Sequence, residues 1–174
     1  AIRTRAERDG DVWRINGQKI WTSRAMQSDL MILLARTTPI EDVDNRLGGI
    51  SVFIVEMRDD DGELIPGLTI NPIPTMMNHN TNEVFFDNVE IPADSLIGTE
   101  GMGFRHILDG MNAERILISA ECIGDGRFFL DKASAYANER EVFGRPIGMN
   151  QGVQFPLAKA YANLQAANLM RWHA

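Results

Sequence analysis

The spacing of apolar residues changes period close to residue 100, and that break constrains the fold more than any other feature of the chain. Before it, apolar residues come in short runs and alternations cut by turn residues. Leu30-Met31-Ile32-Leu33-Leu34-Ala35 is a continuous apolar run of strand length, expected to be buried on both faces, and Ile50-Ser51-Val52-Phe53-Ile54-Val55 is similar. Residues 2–7, 11–15, 18–22, 68–70, 83–86 and 89–91 read as further strands. Asp9-Gly10 and Asn16-Gly17 are two-residue hairpin signals. Asp59-Asp60-Asp61-Gly62 is a charged turn, and Pro66, Pro72, Pro74 and Pro92 break the connections. Short strands at about ten-residue spacing predict an antiparallel barrel or sandwich.

After the break the pattern is helical. No proline occurs from Gly103 to Arg140, and Phe104, Ile107, Leu108, Met111, Leu117, Ala120 and Ile123 recur at helical spacing. One helix of roughly 50 Å follows at about 1.5 Å per residue. Gly124 and Gly126 either weaken it or admit a close helix neighbour. Gly144-Arg145-Pro146-Ile147-Gly148 reads as a turn. A second helix starts near Asn150, with Val153, Leu157, Ala160, Leu164 and Ala167 as its apolar stripe. The predicted class is α+β: a β-domain over 1–98, then an antiparallel helical hairpin over 99–174. A hairpin leaves apolar stripes uncovered, so it is expected to belong to a larger bundle.

Composition narrows the function. The chain has 174 residues, 44% hydrophobic and 24% charged, an ordinary globular balance. Lys+Arg 17 against Asp+Glu 24 gives −7, which argues against nucleic acid and anionic membranes as partners. No apolar run approaches the roughly 20 residues of a membrane span, and no basic-then-apolar leader opens the chain. The single Cys122 excludes an internal disulfide. His79, His106 and His173 are too scattered for a zinc pattern, so no metal site is expected. A strand beginning at the first residues and an uncapped helix at the last read as a piece of a longer protein.

Four motifs carry chemistry, each with an ordinary alternative. Gly98-Thr99-Glu100-Gly101-Met102-Gly103 precedes a helix, as phosphate-cradling loops do, but lacks a following Lys and a βαβ setting, which favours a joining turn. Lys19-Ile20-Trp21-Thr22-Ser23 ends a strand with an indole and two hydroxyls: either a core tryptophan with turn caps, or an aromatic wall for a flat heterocycle. Asn112-Ala113-Glu114-Arg115 places a carboxylate and a guanidinium on an otherwise apolar helix, with Glu121 on the face of Glu114. Glu139-Arg140 through Arg145-Pro146 ends the long helix with cations, placed either for the helix dipole or for a pyrophosphate.

In order and spacing, these motifs resemble the acyl-CoA dehydrogenase family over essentially the whole chain. Asn16-Gly17-Gln18-Lys19-Ile20-Trp21-Thr22-Ser23 resembles its N-G-x-K-x-W-(I/T)-(S/T) strand. Phe85-Phe86-Asp87-Asn88-Val89-Glu90-Ile91-Pro92, then Leu96-Ile97-Gly98, resembles the strand leaving its middle domain. Gly101-Met102-Gly103-Phe104 resembles the start of its C-terminal domain, and Glu139-Arg140, Phe143-Gly144 and Gln151 its E-R-x-x-F-G-x-x-(L/I)-x-x-x-Q stretch. Val142 replaces a frequent Thr, and Asn112 stands where many relatives carry Asp.

The resemblance implies a middle β-domain plus the first two helices of the C-terminal domain, without the N-terminal domain. It implies FAD as cofactor, an acyl-CoA substrate and α,β-dehydrogenation, in fatty acid and lipid metabolism. Trp21, Thr22 and Ser23 would line the isoalloxazine. Arg140, Phe143 and Gln151 would reach FAD from a neighbouring subunit of a dimer or tetramer. Asn112 and Arg115 would lie on the substrate side. Glu114, immediately before Arg115, would be the α-proton base, unless that base lies beyond this stretch. Electron-transfer flavoprotein would be the acceptor, in a bacterial cytoplasm or a mitochondrial matrix. Acyl-CoA oxidase and flavin monooxygenase chemistry share the superfamily fold and stay open, as do a non-catalytic interaction module and a plain barrel with a docking hairpin.

Overall fold

The computed structural model describes residues 2–76 and 80–174; His79 lies outside the described residues. The chain forms two compact units, Ala1–Asp109 and Gly110–Ala174.

The first unit is built on one seven-stranded sheet. Its strands are β1 (Arg5–Asp9), β2 (Val12–Ser23), β3 (Leu30–Arg36), β4 (Ile50–Glu56), β5 (Leu68–Ile73), β6 (Thr81–Pro92) and β7 (Leu96–Ile97), in the order β5-β6-β2-β1-β3-β4-β7. The sheet is mixed rather than wholly antiparallel. β1 uses one edge for β2, and its other edge takes β3 in parallel at Arg5↔Arg36. The next contact along continues that edge, Arg36 N–H donating to the Thr4 carbonyl at 2.8 Å. Residues 2–4 precede β1 rather than belonging to it.

Trp13, Ile15, Leu33, Phe53, Val55, Val84 and Val89 form the centre of the core. Trp13 packs edge-on to Phe53 with ring centroids 5.2 Å apart, and its indole N–H donates to the Ala93 carbonyl at 3.2 Å. β3 is not buried on both faces as its composition suggested: Leu30 is 54% and Ile32 64% exposed. Ile32 pairs with the exposed Ile54 of β4, so the sheet is open to solvent at that pair.

Asp9-Gly10 opens the β1–β2 hairpin, with Gly10 at φ 62°. Asn16-Gly17 is not a turn. β2 runs straight through it, opposite an extra residue in β6, since Ile15 pairs with Val89 and Gly17 with Phe86. Asn88 takes the left-handed conformation there, at φ 53°. Its side chain accepts from Asn16 Nδ2 at 3.2 Å and its N–H donates to Asn16 Oδ1 at 2.9 Å. Gly17 is required by packing: at φ 136°, a Cβ would lie 2.7 Å from Thr4 Cα. The same bulge makes one continuous β6 of the two strands expected over residues 83–91.

The glycine-rich loop is a packed turn. Thr99 N–H donates to His106 Nε2, Gly101 N–H to Ser51 Oγ, and Met102 N–H to the Thr99 carbonyl, so these three donors are spent within the unit. A Cβ on Gly103 would come within 2.6 Å of Ser51 backbone.

Helix α1 spans Gly103–Glu139, its first turns belonging to the first unit. In the second unit it continues into a small ribbon of β8 (Glu141–Val142) and β9 (Arg145–Pro146), then α2 (Gln151–His173). Gly126 and Leu164 stand at matching distances from this connection and touch, so the helices form an antiparallel hairpin; a Cβ on Gly126 would lie 2.7 Å from Leu164 Cδ1. Gly124 makes no such contact. Pro156 lies inside α2, where it removes a backbone donor; the apolar stripe gave no sign of it. Among the described residues of this unit only Ile123 and Ala137 are buried.

Candidate functional site

At the far end of β2 the ladder with β6 slips again. Lys19 pairs with Val84 but Thr22 with Asn82, so β2 carries the extra residue. Trp21 sits in this second bulge at φ 62° with its indole 64% exposed. A left-handed tryptophan costs about 1–3 kcal/mol and persists only where neighbours over-determine it. Here the neighbour is Asn82, fully buried, whose amide donates to the Thr22 carbonyl at 3.1 Å and the Asn80 carbonyl at 3.2 Å. Arg24 N–H donates to the same Asn80 carbonyl at 2.7 Å. The Asn82 Oδ1 has no hydrogen-bond partner among the described residues. Thr22 is half-buried and Ser23 exposed. The strand end thus presents an open aromatic face beside two hydroxyls, the donor set that a flat, polar heterocycle needs.

Lys19, two residues before the indole, is half-buried, and its Nζ donates to the Leu34 carbonyl at 2.6 Å. Burial pushes its ammonium down to about 8. Neither Asn82 nor this lysine contact was singled out from sequence. A lysine sharing the alternation of Trp13 and Ile15 was the available signal.

The second unit holds the other candidate residues in two places. On α1, Arg115 Nη1 donates to Asn112 Oδ1 at 2.9 Å, so the guanidinium pairs with the amide rather than with Glu114. Glu114 is exposed and forms no ion pair among the described residues. Met111 and Ile118, about one turn away on either side, are themselves 39% and 47% exposed. Arg115, with Ile118, Cys122, Ile123, Leu164 and Met170, lines an apolar groove of about 610 Å³ between α1 and α2.

At the ribbon, Phe143 and Gly144 take φ 53° and 73°, the conformation that closes a two-residue hairpin, and Phe143 is fully exposed at its tip. Arg140 contributes its carbonyl to the closure, accepting from Ile147 N–H at 2.8 Å, while its guanidinium has no partner among the described residues. Arg145 Nη2 donates to Asn150 Oδ1 at 3.0 Å, which diverts the usual capping oxygen from α2. Gln151 is the first residue of α2 and exposed. Backbone donors at a helix N-terminus are suited to phosphate oxygens. Among the described residues no group of His, Cys, Asp and Glu is arranged to hold a metal ion. No helix among them is long and apolar enough to cross a membrane.

Residues 1–89 match the family described as acyl-CoA dehydrogenase, middle domain, and residues 101–174 that described as acyl-CoA dehydrogenase, C-terminal domain. The chain is 36% identical over 177 residues to an acyl-CoA dehydrogenase of Bacillus subtilis strain 168, covering 100% of this chain and 44% of that protein. A structure described as an electron transferring flavoprotein of Acidaminococcus fermentans contains a chain that superposes with a TM-score of 0.82 at 31% identity, over 99% of this chain and 44% of that one. A glutaryl-CoA dehydrogenase from Mycobacterium smegmatis in complex with FADH2 gives 0.80 at 31% identity, over 99% and 42%. The chain spans less than half the length of the curated relatives it matches.

Proposed function

This chain belongs to the acyl-CoA dehydrogenase family, and from that premise we propose that it supplies flavin-facing and substrate-facing parts of an FAD-dependent enzyme that dehydrogenates acyl-CoA thioesters between Cα and Cβ. Residues 1–98 serve as its middle domain and 99–174 as the start of its C-terminal domain. The observation that carries the reading is the exposed Trp21 indole, held in a strained bulge beside Thr22 and Ser23. Strain of that kind is kept where a side chain must be presented.

The residues present fit the cofactor. FAD, when bound, accepts the hydride from the β-carbon. Trp21 offers the ring a flat apolar wall, and the Thr22 and Ser23 hydroxyls offer donors to its polar edge. Arg140 and the start of α2 at Gln151 offer a guanidinium and backbone N–H groups to a pyrophosphate, and the exposed Phe143 offers a contact across a subunit boundary of a dimer or tetramer. Glu114 takes the α-proton onto its carboxylate. Asn112 and Arg115, bonded to each other, orient the thioester side. The likeness to a chain in an electron transferring flavoprotein structure supports such a flavoprotein as acceptor.

The test is a visible spectrum of the intact protein. Flavin bands bleached anaerobically by an acyl-CoA are expected. A folded, intact protein without flavin overturns the reading.

A further inference from the structure

Building on that reading, we propose that Lys19 is a positioning residue: its ammonium bridges β2 to β3 where no strand lies between them, and so fixes the bulged strand end that presents Trp21 and Thr22 to the flavin. β1 separates β2 from β3 only as far as Arg5, which pairs with Asn16 on one side and Arg36 on the other. Beyond that point one more backbone bond, Arg36 N–H to the Thr4 carbonyl, continues the β3 side, while side-chain bonds hold the β2 side. Thr4 Oγ1 donates to the Gln18 carbonyl at 2.9 Å, and one residue on, Lys19 Nζ reaches the Leu34 carbonyl at 2.6 Å. A cavity of about 260 Å³ remains in the gap, lined by Lys19, Ile2, Ile20, Thr22, Ile32 and Leu34 among others. The lysine thus holds one side of the bulge while Asn82, donating to the Thr22 carbonyl, holds the other.

The arrangement is a costly one for fold stability alone. Lys19 has no carboxylate partner among the described residues, and burial alone accounts for its weakened basicity. An apolar side chain of similar length fills such a gap without the desolvation penalty. A filler role and a positioning role therefore separate on substitution. If Lys19 only fills space, Lys19→Met leaves the strand end unchanged. If it positions, Lys19→Met keeps the fold and loosens the strand end.

The experiment uses the intact protein, with wild-type flavin content measured first. Lys19→Met is expected to keep its melting temperature, to speed amide exchange at residues 20–23 about tenfold, and to raise the FAD dissociation constant about tenfold with an altered visible circular dichroism of the bound flavin. Lys19→Arg, which keeps a charged donor, is expected to restore most of each. If Lys19→Met does not fold, Lys19→Gln, whose donor is too short to reach Leu34, carries the same comparison. Exchange and affinity both within twofold of wild type overturn the role of Lys19 and leave the proposed function standing. A flavin-free wild type overturns both.

Discussion

Glu114 is exposed on α1, with Arg115 spent on Asn112 at 2.9 Å rather than on the carboxylate. A catalytic base in that position stays free to take a proton. Glu114→Gln preserves shape and polarity but removes the basic oxygen, so flavin reduction by acyl-CoA is expected to slow by on the order of a hundredfold with FAD content unchanged. Stopped-flow absorbance at flavin wavelengths reads this directly, and near wild-type speed would place the base elsewhere in the intact protein. At this scale the sequence nominates a candidate where the residue type itself carries the chemistry, as with Trp21, Glu114 and Arg140. It was not legible where a neighbour decides. Asn82 reads as an ordinary polar strand residue, and only its pairing with Thr22 across the second bulge buries it.

Among elements, the ribbon between the helices separates backbone from side chain. The Arg140 carbonyl closes it while the guanidinium is unpartnered among the described residues. Arg140→Ala therefore leaves the ribbon intact. On the proposed function it removes a charge-assisted phosphate contact, worth roughly 1.5–3 kcal/mol, and is expected to weaken FAD retention and assembly together. Gel filtration monitored at protein and flavin wavelengths would show a smaller, flavin-poor species; unchanged size and flavin content would reduce Arg140 to an end-of-helix cation. The long helices were readable because a 3.6-residue period persists over many turns. Asn16-Gly17 misled because the same residue pair serves a turn and a strand opposite a bulge; only the partner strand tells them apart.

For the whole chain, the exposed surface suits a part that works inside something larger. Trp21 and Phe143 offer their rings to solvent, and α2 has no buried residue. The 174-residue chain by itself is accordingly expected to bind FAD more weakly than about 1 μM, since contacts on one side leave most of a large cofactor in water. A fluorescence titration checks this; tight stoichiometric binding would mean that the chain carries a complete site. The pairing of β2 with β6 has a further consequence, for the order in which the chain folds. Thr22 and Asn82 are 60 residues apart, and Arg14 and Glu90 are 76 apart. That ladder cannot close until β6 exists, and closing so long a loop is what slows non-local sheets. At about 5–20 residues per second, a ribosome would leave one edge of β2 unpaired for roughly 3–15 seconds. During that interval the newborn chain displays an unsatisfied strand edge bearing Ile20 and Trp21, the moment at which a chaperone has the most to protect.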